Sequence, residues 1–217
     1  MSIRFDLSLY LVTDPALTAG RGLLETVAAA VDGGVTLVQL RHKDGPARAL
    51  VEAGRALRAL LAPRGIPLIV NDRVDVAHAI GADGVHLGPD DLAPAAARAI
   101  LGPRAIVGFS INPANAGADI GPDAVDYVGL GPIFSTATKA YAEPALGADR
   151  FAAIRARLPC PVVAIGGLTA ANAGAAVAAG ADGVAVVSAI CAAPDPRAAA
   201  RALRAAVDAA RRGRRPA

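Results

Sequence analysis

Gly81-Ala82-Asp83-Gly84-Val85-His86-Leu87-Gly88-Pro89-Asp90-Asp91 reads as one complete helix-turn-strand unit. Gly81 ends a helical segment, Asp83 shapes the turn, Val85 to Leu87 form a short apolar run, and Pro89-Asp90-Asp91 stops that run with polar groups. Glycine tolerates the backbone needed to leave a helix, and aspartate bonds nearby backbone in turns. The first five residues recur as Gly180-Ala181-Asp182-Gly183-Val184, ahead of a second apolar run that stops on Ser188. Gly33-Gly34 and Asp126 hold comparable places elsewhere. The chain therefore repeats one αβ connection.

Working outward from this stretch, the same pattern recurs along the whole length. TLVQL runs into Arg41-His42-Lys43, PLIV into Asn71-Asp72, and AIVGF into Ser110. YVGLG precedes the loop from Gly131 to Lys139, and VVAI meets Gly166-Gly167. Continuous Val/Ile/Leu runs suit parallel strands covered by helices on their outer face. Strands are expected near 8–13, 36–40, 68–70, 84–87, 106–109, 127–130, 162–165 and 183–187. Between them, Leu24, Val27, Ala28 and Val31 mark one helix face, and Leu50, Ala53, Leu57 and Leu61 another. Pro94 suits a helix's first turn. Eight such units predict an α/β fold, a single (β/α)8 TIM barrel over residues 1–210. An open doubly wound sheet is the alternative, because the first strand is weakly marked. Residues 211–217 read as a basic, flexible tail.

Composition narrows the function. The chain has 217 residues, is 54% hydrophobic with much of that alanine, and is only 3% aromatic without tryptophan. A platform that stacks nucleic-acid bases is not expected. The formal charge of +3 includes four positive charges from Arg211, Arg212, Arg214 and Arg215, so the remainder sums to about −1. An acidic ligand must be held by local cations. The apolar stretch from Ala170 to Pro194 is broken by Asn172, Gly174, Gly180, Asp182 and Gly183, which argues against a membrane span. Cys160 and Cys191 form no CxxC, and Met1 to Asp6 carry no apolar signal core. A cytoplasmic protein follows as the expectation, with homo-oligomerisation left open.

Polar stops at the carboxyl ends of parallel strands are where barrels bind ligands. Gln39, Arg41 and Lys43 combine an amide, a planar cationic fork and a mobile point charge, suited to a diphosphate, and His42 lies within reach of the same ligand. A solvated basic loop would look similar. Asn71-Asp72 and Asp90-Asp91 end consecutive strands, so their carboxylates should lie side by side. They could share Mg²⁺, which uses few carboxylates and completes its shell with water and phosphate oxygens. Alternatively, Asp91 could cap the following helix. Thr136, Thr138 and Lys139 lie in an unusually long loop that could close over a polyanion. Gly166-Gly167 and Val187-Ser188 end the last two strands, the recurrent barrel phosphate site. His78 reads as structural and His86 as a hydrogen-bonded core histidine. There is no Ser/His/Asp arrangement, no zinc-type histidine pair and no dinucleotide fingerprint.

Taken together, QLRHK, VNDR, DGVHLGPDD, GLGPIFSTATK, AIGGL and GVAVVS, in that order from about Tyr10 to Ala189, resemble the thiamine-phosphate synthase family. The resemblance implies a (β/α)8 barrel that joins 4-amino-2-methyl-5-(diphosphooxymethyl)pyrimidine to 4-methyl-5-(2-phosphooxyethyl)thiazole and releases diphosphate. It implies Gln39, Arg41, Lys43, Asn71, Ser110 and Lys139 for the pyrimidine diphosphate, with Arg41, Lys43 and Lys139 stabilising the departing group. Asp72 and Asp91 would hold Mg²⁺. Thr136, Thr138, Gly167, Val187 and Ser188 would receive the thiazole phosphate. The family's dissociative mechanism needs no protein nucleophile, which agrees with the motifs missing here. His42, Asn112 and Ser135 depart from residues frequent in the family. A thiazole tautomerase-like isomerase would instead carry a histidine where Pro132 stands, and a non-catalytic phosphate-ligand sensor would bind without turnover.

Overall fold

The computed structural model describes residues 5–116, 124–136 and 144–213. Eight parallel strands close in chain order into a barrel: β1 Leu9–Val12, β2 Leu37–Leu40, β3 Leu68–Asn71, β4 Gly84–Leu87, β5 Ile106–Ile111, β6 Tyr127–Leu130, β7 Val162–Ile165 and β8 Gly183–Val186. Closure is explicit, because β1 pairs with β8 through Leu9 with Val184, Tyr10 with Ala185 and Leu11 with Val186. This excludes the open sheet. The weakly marked first strand is fully buried, so its pairing on both sides outweighs its modest propensity.

The described helices are α1 Pro15–Thr18, α2 Leu23–Asp32, α3 Ala47–Leu61, α4 Val74–Ile80, α5 Pro94–Leu101, α6 Gly147–Arg155, α7 Ala173–Ala178, α8 Ser188–Cys191 and α9 Pro196–Gly213. Strand residues alternate between two cores. Leu9, Leu11, Val38, Leu40, Val70 and Val128 face the helices, while Tyr10, Val12, Leu37, Ile69, Ile106, Tyr127 and Val163 fill the barrel. Each fully buried Leu or Ile contributes roughly 1.5–3 kcal/mol of burial free energy.

The predicted face of α3 is met by buried Leu50, Leu57 and Leu61. That of α2 is rotated: Thr26, Val27 and Ala30 are buried, whereas Leu24 is 43% exposed. Thr26 can turn inward because its hydroxyl donates to the Gly22 carbonyl at 2.8 Å. Another correction concerns the tail. α9 continues through Gly213, and Arg211 donates to the Ser8 hydroxyl and the Asp182 carbonyl. Arg211 to Gly213 are thus part of the helix, anchored by contacts a charge pattern cannot reveal.

The repeated aspartates do more than shape turns. Asp83 Oδ2 accepts from Leu68 N at 2.8 Å, Asp126 Oδ2 from Val107 N at 2.7 Å, and Asp182 Oδ2 from Val162 N at 2.8 Å. Thr36 Oγ1 does the same for Leu9 N at 3.1 Å. In each case the residue's own N–H bonds the carbonyl of the same partner. A reciprocal staple therefore ties the start of every even-numbered strand to the strand before it. These staples hold the amino-terminal rim, leaving the opposite rim to carry ligand chemistry.

Candidate active site

At the carboxyl rim, β2 places Gln39 inside the barrel, 3% exposed, with its Nε2 donating to the Tyr10 hydroxyl at 2.7 Å. The chain then leaves the strand. Arg41 N donates to Thr13 Oγ1 at 3.1 Å, and its guanidinium lies 3.8 Å from Asp14. Asp14 also caps α1, accepting from Ala16 N and Leu17 N. Arg41 is thus held by the neighbouring strand's loop, while Lys43 is exposed. The His42 ring lies against Gly45, where an added Cβ would come within 2.4 Å of Nδ1. His42 therefore braces its own turn. A cleft of about 200 Å³ behind it is lined by Thr13, Leu40, Arg41, His42 and Leu50. Its walls are largely apolar, so it suits no polyanion.

Asn71 and Asp72 follow directly from β3. Asp72 has a φ of 59°, in the left-handed region that aspartate tolerates better than most non-glycine residues. Its N–H donates to the His86 carbonyl at 2.9 Å, and its carbonyl accepts from Val74 N. This bend turns the chain from strand into α4 and sets the carboxyl beside Asp91. Burial first, and then hydrogen bonding to and the charge of Asp91, push the Asp72 carboxyl up to about 6, while Lys43 and Arg41 act the other way. Asp91 Oδ2 accepts from Gly88 N at 2.6 Å, which closes the β4 loop. The helix-capping alternative is not observed: Ala93 occupies the N-cap of α5.

The donor set fits Mg²⁺. Two hard carboxylates set side by side, each opposing the other's charge, would gain by sharing a cation. Among the described residues no group of three or more His, Cys, Asp or Glu is placed to hold a metal. The remaining ligands would have to be water and substrate oxygens, as Mg²⁺ prefers.

Ser110 lies on β5 with its Oγ 2.9 Å from His86 Nε2. A turn that the sequence reading passed over secures it from behind. Asn115 Nδ2 donates to the Ser110 carbonyl at 3.1 Å, and Asn115 Oδ1 accepts from Asn112 N at 2.7 Å. The Asn112-Pro113-Ala114-Asn115 spacing was the available signal, since paired asparagines bond local backbone in turns.

Opposite this half, the β6 loop lies over the β7 turn. Ile133 N donates to the Ile165 carbonyl at 2.9 Å, and Phe134 N to the Gly166 carbonyl at 3.2 Å. Gly167 has a φ of 64°, and a Cβ there would come within 2.4 Å of the Ser135 carbonyl oxygen. Glycine is therefore required for the two turns to meet. Ser188 opens α8, whose first N–H groups have no intrahelical acceptor. The loop carrying Thr136 and the turns at Gly167 and Val187-Ser188 thus end β6, β7 and β8, one after another. Thr138 and Lys139 lie outside the described residues.

Paired carboxylates, a cationic turn and glycine turns thus share the carboxyl rim of a closed (β/α)8 barrel. The thiamine monophosphate synthase family model matches residues 9–190, and the chain belongs to that family. It is 60% identical over 210 residues to a thiamine-phosphate synthase of Azorhizobium caulinodans, covering 96% of this chain and 98% of that one. A thiamine-phosphate synthase of Xanthobacter autotrophicus is 63% identical over 209 residues, covering 95% and 98%. The structure of thiamine phosphate pyrophosphorylase from Pyrococcus furiosus superposes with a TM-score of 0.82 at 37% identity, covering 94% of this chain and 96% of that one. No described helix is long and apolar enough to cross a membrane.

Proposed function

We propose that the protein is a thiamine-phosphate synthase, a transferase that couples the pyrimidine diphosphate to the thiazole phosphate and releases diphosphate. The observation that carries this reading is the Asp72–Asp91 pair beside Arg41 and Lys43. It gathers carboxylates and cations where charge on a leaving diphosphate would develop. Asp72 and Asp91 would hold Mg²⁺, which would supply Lewis-acid stabilisation of diphosphate oxygens when bound.

The side chains divide the remaining work. Arg41, Lys43 and Lys139 bind the diphosphate and stabilise it as it departs. Gln39, Asn71 and Ser110 orient the pyrimidine diphosphate, and Thr136, Thr138, Gly167, Val187 and Ser188 seat the thiazole phosphate. The pyrimidine amino group can stabilise the cation left behind, and the thiazole nitrogen then captures it. Alignment of two bound rings replaces nucleophilic catalysis. The site needs no strong base, and Pro132 occupies the place where an isomerase of this architecture would need one. A reducing cytoplasm suits the free Cys160 and Cys191 thiols.

The test supplies both phosphorylated heterocycles with Mg²⁺ and follows thiamine phosphate and diphosphate together. Both should appear in equal amounts. A folded preparation that binds the substrates yet forms neither product would support a sensor and overturn the synthase reading.

A further inference from the structure

A chain of buried hydrogen bonds crosses the barrel beneath the site. Gln39 Nε2 donates to the Tyr10 hydroxyl at 2.7 Å, and the Tyr10 and Tyr127 hydroxyls are 2.8 Å apart. The Tyr127 hydroxyl lies 2.9 Å from His86 Nδ1, and His86 Nε2 lies 2.9 Å from Ser110 Oγ. Five side chains from β2, β1, β6, β4 and β5 are joined end to end. Gly108 makes the space, since a Cβ there would fall 2.2 Å from the Tyr127 ring and 2.5 Å from His86 Nδ1.

Each hydroxyl has one proton, so the chain has a direction. Gln39 donates to Tyr10, and Tyr10 must then spend its proton on Tyr127. Tyr127 donates to His86 Nδ1, which leaves the His86 proton on Nε2, directed at Ser110 Oγ. The reverse order would strand the Tyr10 proton, because its hydroxyl partners among the described residues are Gln39 and Tyr127. Burial raises both phenols, keeping their protons in place.

We propose that Tyr10, Tyr127 and His86 are positioning residues that fix the hydrogen-bond polarity of Gln39 and Ser110 toward the pyrimidine diphosphate. The inference rests on the synthase reading and deepens it. Ser110, accepting from His86, is left to donate outward, as an anion that only accepts requires. Gln39, donating inward, keeps Oε1 to accept from the pyrimidine amino group. One chain thus sets a donor and an acceptor at two places on the same substrate.

The ¹⁵N spectrum of the histidine rings, assigned with His42→Gln and His78→Gln, tests the direction without requiring turnover. His86 should be the neutral Nε2–H tautomer, and Tyr127→Phe should convert it to a mixture. In turnover, Tyr127→Phe should raise KM for the pyrimidine diphosphate about three- to tenfold and leave KM for the thiazole phosphate unchanged. Added to Ser110→Ala, it should have a smaller effect than alone, the remainder coming through Gln39. Tyr10→Phe, with the same expected outcomes, covers the case of a poorly folded Tyr127 variant. An Nδ1–H tautomer in the unsubstituted protein, or fully additive effects of Tyr127→Phe and Ser110→Ala, would overturn the proposal. If the unsubstituted protein forms no product, the synthase reading fails, whereas the tautomer still decides the direction of the chain.

Discussion

Asp72 brings three physical demands onto one residue: a left-handed backbone, a half-buried carboxyl and a second carboxyl beside it. The type of residue and its place at a strand end were legible in sequence. Its backbone was not, because φ is imposed by the hydrogen bonds to His86 and Val74. Asp72→Asn keeps a residue that tolerates that φ and removes the opposing charge. It should therefore leave the melting temperature equal or higher without Mg²⁺. It should also abolish stabilisation by Mg²⁺ with diphosphate and lower turnover about a hundredfold or more. Thermal unfolding with and without the ion, alongside steady-state rates, separates these effects; undiminished turnover at limiting Mg²⁺ would remove Asp72 as a ligand.

The thiols offer a second check at this scale. Burial pushes the Cys191 thiol up to about 11, and its Sγ lies 3.7 Å from the Val12 carbonyl. A raised pKa lowers the thiolate fraction, to roughly 0.1% at pH 8. Cys160 is also raised by burial but is partly exposed. An aromatic disulfide reagent at pH 8 should modify Cys160 alone in the folded protein and reach Cys191 only after urea unfolding. Equal native rates for the two would contradict this burial.

At the scale of elements, the Gly-Ala-Asp-Gly echo announced a repeated connection, but its partner could not be read from spacing. The Asp83 carboxylate reaches Leu68 N on the preceding strand, a pairing that exists only once strands are neighbours. Asp83→Ala should therefore cost about 1–3 kcal/mol in urea unfolding, by leaving that amide without its charged acceptor. Activity of the folded fraction should not change, because this bond lies on the rim opposite the site. Gly167 makes the contrasting case. There the double glycine was legible as a turn at a strand end, whereas its contact with the Ser135 carbonyl depends on a loop from another strand. Gly167→Ala meets both the 64° φ and that oxygen. A stability loss of about 1–3 kcal/mol should accompany a higher KM for the thiazole phosphate with little change for the pyrimidine diphosphate. Equal rises in both would place Gly167 outside the thiazole half.

For the whole molecule, seven apolar runs and a weakly marked first strand pointed to the barrel, since period and polar stops are local properties. Closure was not local. It depends on β1 meeting β8 and on what lies across that seam at the amino-terminal rim. Arg211 crosses it: the guanidinium donates to Ser8 just before β1 and to the Asp182 carbonyl just before β8, with Asp6 3.8 Å away. Helix α9 delivers it there by burying Ala200, Leu203 and Val207, and Arg204 adds an ion pair with Asp208 at 3.0 Å. Read as part of a run of four arginines, the same residue suggested a solvated end. Arg211→Ala should lower stability by about 1–3 kcal/mol through the lost charged hydrogen bonds. It should also speed hydrogen exchange at Leu9 and Val184 while leaving both KM values intact. If the urea midpoint and these two amides are unaffected, Arg211 does not hold the seam, and burial of β1 and β8 alone keeps the barrel closed.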